Sequence, residues 1–330
     1  MKAVVFKTKE EGPVIKDLPI PEPAKGQVLV KLSYAALNHL DLLIWREQTL
    51  DNELISGSDG SGTIYAVGED VDVSLIGKEV IINPALNWGD NEAIQSDAFE
   101  ILGAPTNGTF AEFVAIVRAY VYEKPAHLSL KQAAALPLAA LTAYRALFTK
   151  AKVANKDNVL ITGIGGGVAL FLLQMATAVG ANVYVTSSSY EKLKSAISLG
   201  AKEGYNYKDP GWQKKAKEKV RGFDIIIDSA GGEGFADLLE LASPAARIVS
   251  FGRTAGNIKE LRPSLLFNKQ LQILGTLMGT PTEFAAMVRF FEEHQLIPII
   301  EKEFSLSDIL EAKELLATGR HFGKIVLKIT

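Results

Sequence analysis

The chain has 330 residues, 48% of them apolar, with 35 basic against 38 acidic side chains, a net charge of −3, and no cysteine. This length suggests about two domains and allows roughly three quarters of the unfolded surface to be buried, so the core needs no covalent staple. The near-neutral charge argues against disorder, a polybasic membrane role and strong nucleic-acid binding, and the missing cysteine removes disulfides, thiolate nucleophiles, iron–sulfur clusters and every cysteine-containing zinc site. The opening MKAVVFKTKEEG lacks a signal peptide's apolar core and cleavage site. No stretch reaches the roughly 18 consecutive apolar residues of a membrane span. The expectation is a soluble, cytoplasmic protein with no membrane or nucleic-acid partner.

The first third reads as β-rich. Strand patterns cover Met1–Lys7, Gln27–Leu32, Gly62–Val67, Glu79–Asn83 and Glu112–Val117, with Pro13, Pro19, Pro21 and Pro23 marking a surface connection. Several short strands with turn signals between them suggest a compact barrel or sandwich. Leu130–Lys150 then reads as a helix with Ser129 as its N-cap. Strands and helices alternate from there: strand Asn158–Thr162, helix Gly167–Val179, strand Asn182–Thr186, helix Tyr190–Leu199, helix Gly211–Val220, strand Phe223–Asp228, helix Gly234–Leu241 and strand Arg247–Phe251. Apolar runs such as VLIT and DIIID suit strands buried on both faces, which implies a doubly wound parallel sheet. Leu271–Leu277 is a further strand and Pro281–His294 a further helix, and the tail from Leu296 returns to strand–helix–strand, ending in Lys324–Ile329. The lysine-rich Lys214–Arg221 reads as a solvated helix face.

The most specific local signal is VLITGIGGGVALFLLQMA, Val159 to Ala176, in which a buried strand runs through a glycine-dense turn into an apolar helix. That context suits a dinucleotide, because glycines let the backbone approach a pyrophosphate and the helix N-terminus favours its charge. Gly163, Gly166 and Ala169 fit GxxGxxA, with Gly165 and Gly167 between them and Val168 following. A tight turn without a ligand is the competing reading of the glycines. An NAD site places an acid about 20 residues beyond them. Here the second strand ends in Ser187, Ser188 and Ser189, with Lys192 one turn later. Hydroxyls and an ammonium suit a 2′-phosphate by charge-assisted hydrogen bonds, which favours NADP(H). The same SSSYEK also serves as a helix cap and polar first turn. Ser229, Ala230, Phe251 and Gly252 fall at the carboxyl ends of parallel strands, where ligands collect in such sheets.

Many landmarks in one order then resemble the medium-chain dehydrogenase/reductase superfamily, most closely its zinc-independent quinone oxidoreductase-like branch, which includes zinc-type alcohol dehydrogenase-like proteins. They are MKAVVF, Ala36-Leu37-Asn38-His39-Leu40-Asp41, Gly57-Ser58-Asp59-Gly60-Ser61-Gly62, Asn107 to Glu112, Ala134 to Tyr144, the glycine loop, Leu199-Gly200-Ala201 and Gly323-Lys324-Ile325-Val326. The resemblance implies an α/β protein: a GroES-like, partly open β-barrel catalytic domain from residues 1–124 and 295–330, and a Rossmann NADP(H)-binding domain at 125–294. It also implies an active site in the cleft between domains and a homodimer paired through an edge strand, here Leu271–Met278. Zinc-bearing relatives hold the catalytic metal with cysteine, histidine and cysteine at positions that match Asn38, Ser58 and Leu138, and the lobe of their structural zinc falls near Asn87–Thr106. Neither region of this chain offers a zinc site, so no metal is expected. His127, His294 and His321 are scattered and suggest no cluster with His39.

Without a Lewis acid, simple alcohol oxidation is disfavoured. Hydride transfer from NADPH to a quinone or an α,β-unsaturated carbonyl is easier, because conjugation spreads the developing charge. Asn38 is the expected donor near the acceptor carbonyl, with a structural turn amide as the competing reading. Asp41, matching an acid that supports the metal ligands of zinc relatives, is expected to orient Asn38. Thr142 matches a threonine beside the nicotinamide; its alternative is a mid-helix hydroxyl bonding back to a carbonyl. Tyr207 matches a tyrosine bordering the 2′-phosphate, against simple core packing. Lys324 matches a recurrent family lysine, grouped with the cofactor residues with its role open. The proton comes from a side chain or from water. An enoyl or aldehyde/alcohol reductase of the same superfamily, or a non-catalytic NADPH-binding sensor, remain as alternatives.

Overall fold

The computed structural model describes residues 1–47, 50 and 52–329. It forms two compact units, Met1–Leu141 with Gly279–Thr330, and Thr142–Met278. The resemblance implies boundaries at 124/125 and 294/295, whereas packing divides the chain at 141/142 and 278/279. The helix Pro281–Glu293 packs in the first unit, where the Phe284 ring lies 4.7 Å from that of Tyr122.

In the first unit the strands Val121–Glu123, Glu79–Ile82, Asp59–Val67, Gln27–Ala36, Lys324–Lys328 and Ile300–Ser305 are hydrogen-bonded in that spatial order, and Phe113–Val117 also pairs with Gln27–Ala36. Val28, Val30, Leu32, Ile64, Val80 and Ile82 point into one buried cluster, as strands with one buried face require. The register has a consequence for chemistry. Ala36 faces Asp59 on one side and Val326 on the other, and Leu37 N–H bonds Ile325 O. One end of the barrel sheet therefore collects Asn38, Asp59 and Lys324.

In the second unit the strands Glu203–Asn206, Asn182–Ser187, Asn158–Ile161, Phe223–Asp228, Ala242–Ser250 and Gln272–Gly275 pair in that order, all parallel. This is the 3-2-1-4-5-6 order of a dinucleotide-binding sheet, with its switch point between the first and fourth strands. Leu170, Leu172, Leu173, Met175 and Ala176 bury the helix Gly167–Ala178 on several sides, as its apolar sequence demands.

Three differences from the sequence reading have local causes. Leu130–Lys150 is not one helix. It runs as Leu130–Ala134, Pro137–Tyr144 and a π-helical turn Arg145–Lys150. Pro137 disfavours helical geometry at Leu136 and restarts the helix as its own first residue. The edge strand Glu203–Asn206, paired on one side only, reads EGYN and carries no apolar run that would mark it in the sequence. The helix His39–Glu47 begins inside the Ala36–Asp41 run, read only as a family landmark, and continues beyond it. Among the described residues no helix is long and apolar enough to cross a membrane.

Ser129 caps Leu130–Ala134 through a capping box, accepting from Gln132 N while the Gln132 side chain accepts from Ser129 N. Replacing Ser129 with alanine is expected to cost about 1 kcal/mol in urea denaturation.

Candidate active site

The barrel end is organised by Asp59, which is fully buried. Its Oδ2 accepts from Lys324 Nζ and from Asn38 Nδ2, each at 2.9 Å. Its Oδ1 accepts from Leu138 N at 2.7 Å, and its carbonyl accepts from Thr109 Oγ1 at 2.7 Å. The Leu138 bond follows from the helix break: a first-turn N–H has no partner within its helix and favours a carboxylate. Lys324 Nζ also donates to Asn38 Oδ1 at 2.6 Å and Leu37 O at 2.9 Å. Asp41 Oδ2 accepts from Asn38 N at 2.7 Å, so Asp41 meets the backbone of residue 38 and not its carboxamide. Burial, seconded by the negative charge of Asp59, pushes the Asp41 carboxyl up to about 7, against the lowering effects of the Asn38 N–H and the Lys324 ammonium. Ser58 Oγ is buried and has no hydrogen-bond partner among the described residues.

In the second unit the glycine turn has the geometry its sequence calls for. Gly163 and Gly165 have φ of +68° and +129°, conformations open to glycine. Gly166 is the N-cap of Gly167–Ala178 and contributes no side-chain bond, so the first-turn N–H groups, from Gly167 and Val168 onward, lack the usual cap. Gly163 N donates to Thr186 Oγ1 and Ile164 N to Thr186 O, which ties the turn to the second strand. A Cβ on Gly165 would stand 2.9 Å from Lys192 Cδ and Nζ; the lysine lies over the turn. Ser189 Oγ accepts from Lys192 N, Ser187 Oγ accepts from Ser189 N, and Ser188 O accepts from Asn206 Nδ2. Tyr207 N donates to Ser187 O, and its side chain is 48% exposed, so core packing does not explain it. Ser187, Ser188, Ser189, Lys192 and Tyr207 thus meet at one strand end.

Beside them, Asp228 accepts from Thr162 Oγ1, Ala230 N and Gly231 N. Phe251 N donates to Asp228 O, and a Cβ on Gly252 would stand 2.5 Å from Ser229 O. Gly163, Ser229, Ala230, Phe251 and Gly252 therefore gather at the carboxyl edge of neighbouring strands. This edge fits a dinucleotide, with open helical N–H groups for a pyrophosphate and no bulk at the glycines. Thr142, on the Pro137–Tyr144 helix, is buried with its hydroxyl 3.9 Å from Met278 Sδ.

Family models match two stretches: an alcohol dehydrogenase GroES-like domain at residues 24–126 and a zinc-binding dehydrogenase at 167–293. The zinc-type alcohol dehydrogenase-like protein YogA of Leptosphaeria maculans is 34% identical over 94% of this chain and 92% of its own length. The chain is a medium-chain dehydrogenase/reductase. This oxidoreductase is also similar to human quinone oxidoreductase, at 29% identity over 94% of the chain and 92% of that protein. The crystal structure of an NAD-dependent alcohol dehydrogenase superposes with a TM-score of 0.93 at 35% identity, covering 100% of both chains.

The zinc implied by part of this family meets an unsuitable donor set here. Asn38, Ser58 and Leu138 contribute an amide, a hydroxyl and an aliphatic chain, and the Asn38 oxygen already accepts from an ammonium. Neither the donors nor the nearby cation suits a zinc ion. Among the described residues no group of three histidine, aspartate or glutamate side chains could hold a metal. His321 does approach His39, with ring centroids 6.0 Å apart, a pair that spacing along the chain concealed. Lys324 departs from its grouping with the cofactor residues, since its three N–H donors are all used within the first unit. Asp59 and Asp228 received no role from sequence, although each is an acid at the end of a glycine-rich or apolar strand.

Asp41 predicts a pH dependence. A carboxyl raised from 3.8 to about 7 on folding keeps its proton where the unfolded chain has lost it, so its contribution to stability is full below pH 3.8 and gone above 7. Between pH 5 and pH 8 the wild type should lose about 3 kcal/mol relative to Asp41→Asn in urea denaturation. Parallel pH profiles for the two proteins would contradict the assignment.

Proposed function

We propose that this chain is an NADPH-dependent, zinc-independent reductase that directs a hydride to a quinone or another α,β-unsaturated carbonyl compound. The observation that carries this reading is the Lys324 ammonium among the oxygens of Asn38, Asp59 and Leu37, beside a position where zinc-bearing relatives place a metal ligand. NADPH is favoured over NADH by three serines and Lys192 where an NAD site carries an acid. The neighbouring acids do not oppose this: Glu191 is exposed, and Asp209 accepts the Tyr190 hydroxyl. Similarity to human quinone oxidoreductase supports the same acceptor class.

The glycine turn and the N-terminus of Gly167–Ala178 would hold the pyrophosphate of NADPH, and Ser187, Ser189, Lys192 and Tyr207 its 2′-phosphate; once bound, the cofactor would supply the hydride. Asn38 donates a hydrogen bond to the acceptor oxygen as negative charge collects there, which is where a fixed donor stabilises most. Water then protonates the resulting enolate or hydroquinone anion. The likeness to an NAD-dependent alcohol dehydrogenase favours a second reading, reversible alcohol oxidation with NAD, and cofactor choice separates the two.

The strand Gln272–Gly275 is an open edge of its sheet, and Ile273, Leu277 and Phe267 near it are exposed. An uncovered apolar edge invites pairing, so a homodimer through this edge completes the proposal, with no nucleic-acid or membrane partner.

Oxidation of NADPH and NADH should be followed against panels of quinones, enones and aldehydes. The expected result is turnover with NADPH and a quinone or enone; preference for NADH with an alcohol–aldehyde pair would favour the second reading. Ser187→Asp with Lys192→Ala should weaken NADPH about tenfold or more, and NADH far less. Equal losses would move the phosphate pocket elsewhere. In sedimentation, Ile273→Lys should convert the dimer to monomer; an unchanged mass would remove the edge from the interface.

A further inference from the structure

Asn38 carries a carboxamide, which can present either a donor or an acceptor to a substrate. The cluster around it decides which. Lys324 Nζ donates to Asn38 Oδ1, and Asn38 Nδ2 donates to Asp59 Oδ2. The flipped amide would set its NH2 against an ammonium and its oxygen against a carboxylate, so the ion pair permits one orientation only. In that orientation one Nδ2–H remains beyond the bond to Asp59. Lys324 is itself 4% exposed with all three donors engaged, so it acts through its neighbours and not on a ligand.

Resting on the function proposed above, we infer that Lys324 is a positioning residue that fixes the polarity of Asn38, so that residue 38 offers an N–H to the acceptor oxygen. The positive charge then serves the reaction one amide removed, by holding a donor where an oxyanion forms. Asp59 serves as its counter-charge and pins the other end of the same amide. An unconstrained asparagine would present its oxygen part of the time and repel the developing charge.

The test combines kinetics with a readout that needs no turnover. Lys324→Met should lower kcat with a quinone about 10²-fold, as loss of donor alignment does, while the Kd for NADPH stays within about twofold. Asn38→Ala should lose kcat to a similar extent. The double variant should be no worse than Asn38→Ala alone, because a residue acting through another adds nothing once that partner is gone. Lys324→Met leaves Asp59 without its counter-charge, so Lys324→Met with Asp59→Asn, which removes both charges, provides a second variant that folds without an orphan carboxylate; its kcat should be equally low. Full additivity in the double variant, or a loss of NADPH affinity with kcat intact, would overturn the inference. In asparagine-selective 15N-labelled protein, the Asn38 side-chain amide (assigned by its disappearance in Asn38→Ala) should exchange with water about tenfold faster or more in Lys324→Met. Unchanged exchange would also overturn it. A wild type without turnover on any acceptor would defeat the functional reading, and the labelled amide would still decide whether Lys324 holds Asn38.

Discussion

The buried Asp59–Lys324 ion pair is the interaction on which the rest of the first unit depends. A carboxylate and an ammonium withdrawn from water are tolerated only when paired and otherwise hydrogen-bonded. Both conditions are met. Asp59 accepts from Lys324, Asn38 and Leu138, and Lys324 completes its donors on Asn38 and Leu37. These groups come from the chain after the Gln27–Ala36 strand, the start of the Asp59–Val67 strand, the restarted Pro137–Tyr144 helix and the start of the last strand. One carboxylate thereby ties Lys324–Lys328 into a sheet whose other strands come from residues 27–123 and from Ile300–Ser305. Removing one partner of such a pair leaves the other charged and buried, which typically costs about 3–5 kcal/mol.

The second unit uses a buried acid in a different way. Asp228 is as deeply buried but bonds only neutral donors, the Thr162 hydroxyl and two backbone N–H groups. It shapes the loop after its own strand and fastens that loop to the end of the neighbouring strand. The glycine turn, the serine–lysine strand end and the Ser229 loop then lie along one sheet edge. The first unit thus concentrates charge at a point, and the second presents polar backbone and hydroxyls along an edge. The former suits a reacting carbonyl and the latter an extended phosphate-bearing cofactor.

Much of this was legible in the sequence. The parallel sheet followed from apolar runs alternating with helices, and the glycine turn from its strand-before, helix-after setting. Ser187, Ser188, Ser189 and Lys192 could be grouped because neighbours along the chain stay neighbours at a strand end. Asp59, Lys324 and Asn38 could not be joined in that way, because cross-strand register brings them together over separations of 21 to 286 residues. Lys324 is the instructive case. By resemblance it stood with the cofactor groups, yet counting its donors places it in the barrel cluster. The helix break at Pro137 is hidden by composition: the alanine- and leucine-rich run suits a continuous helix, and the single proline outweighs it and turns the Leu138 N–H to Asp59.

We propose that a protein ammonium, and not a metal, supplies the positive charge at this site. This is tested most directly by measuring zinc content and NADPH–quinone turnover on the same purified protein, before and after prolonged chelation. The expected result is far less than one zinc per chain and turnover unchanged by the chelator. About one zinc per chain, with activity lost on chelation and restored by zinc, would contradict it.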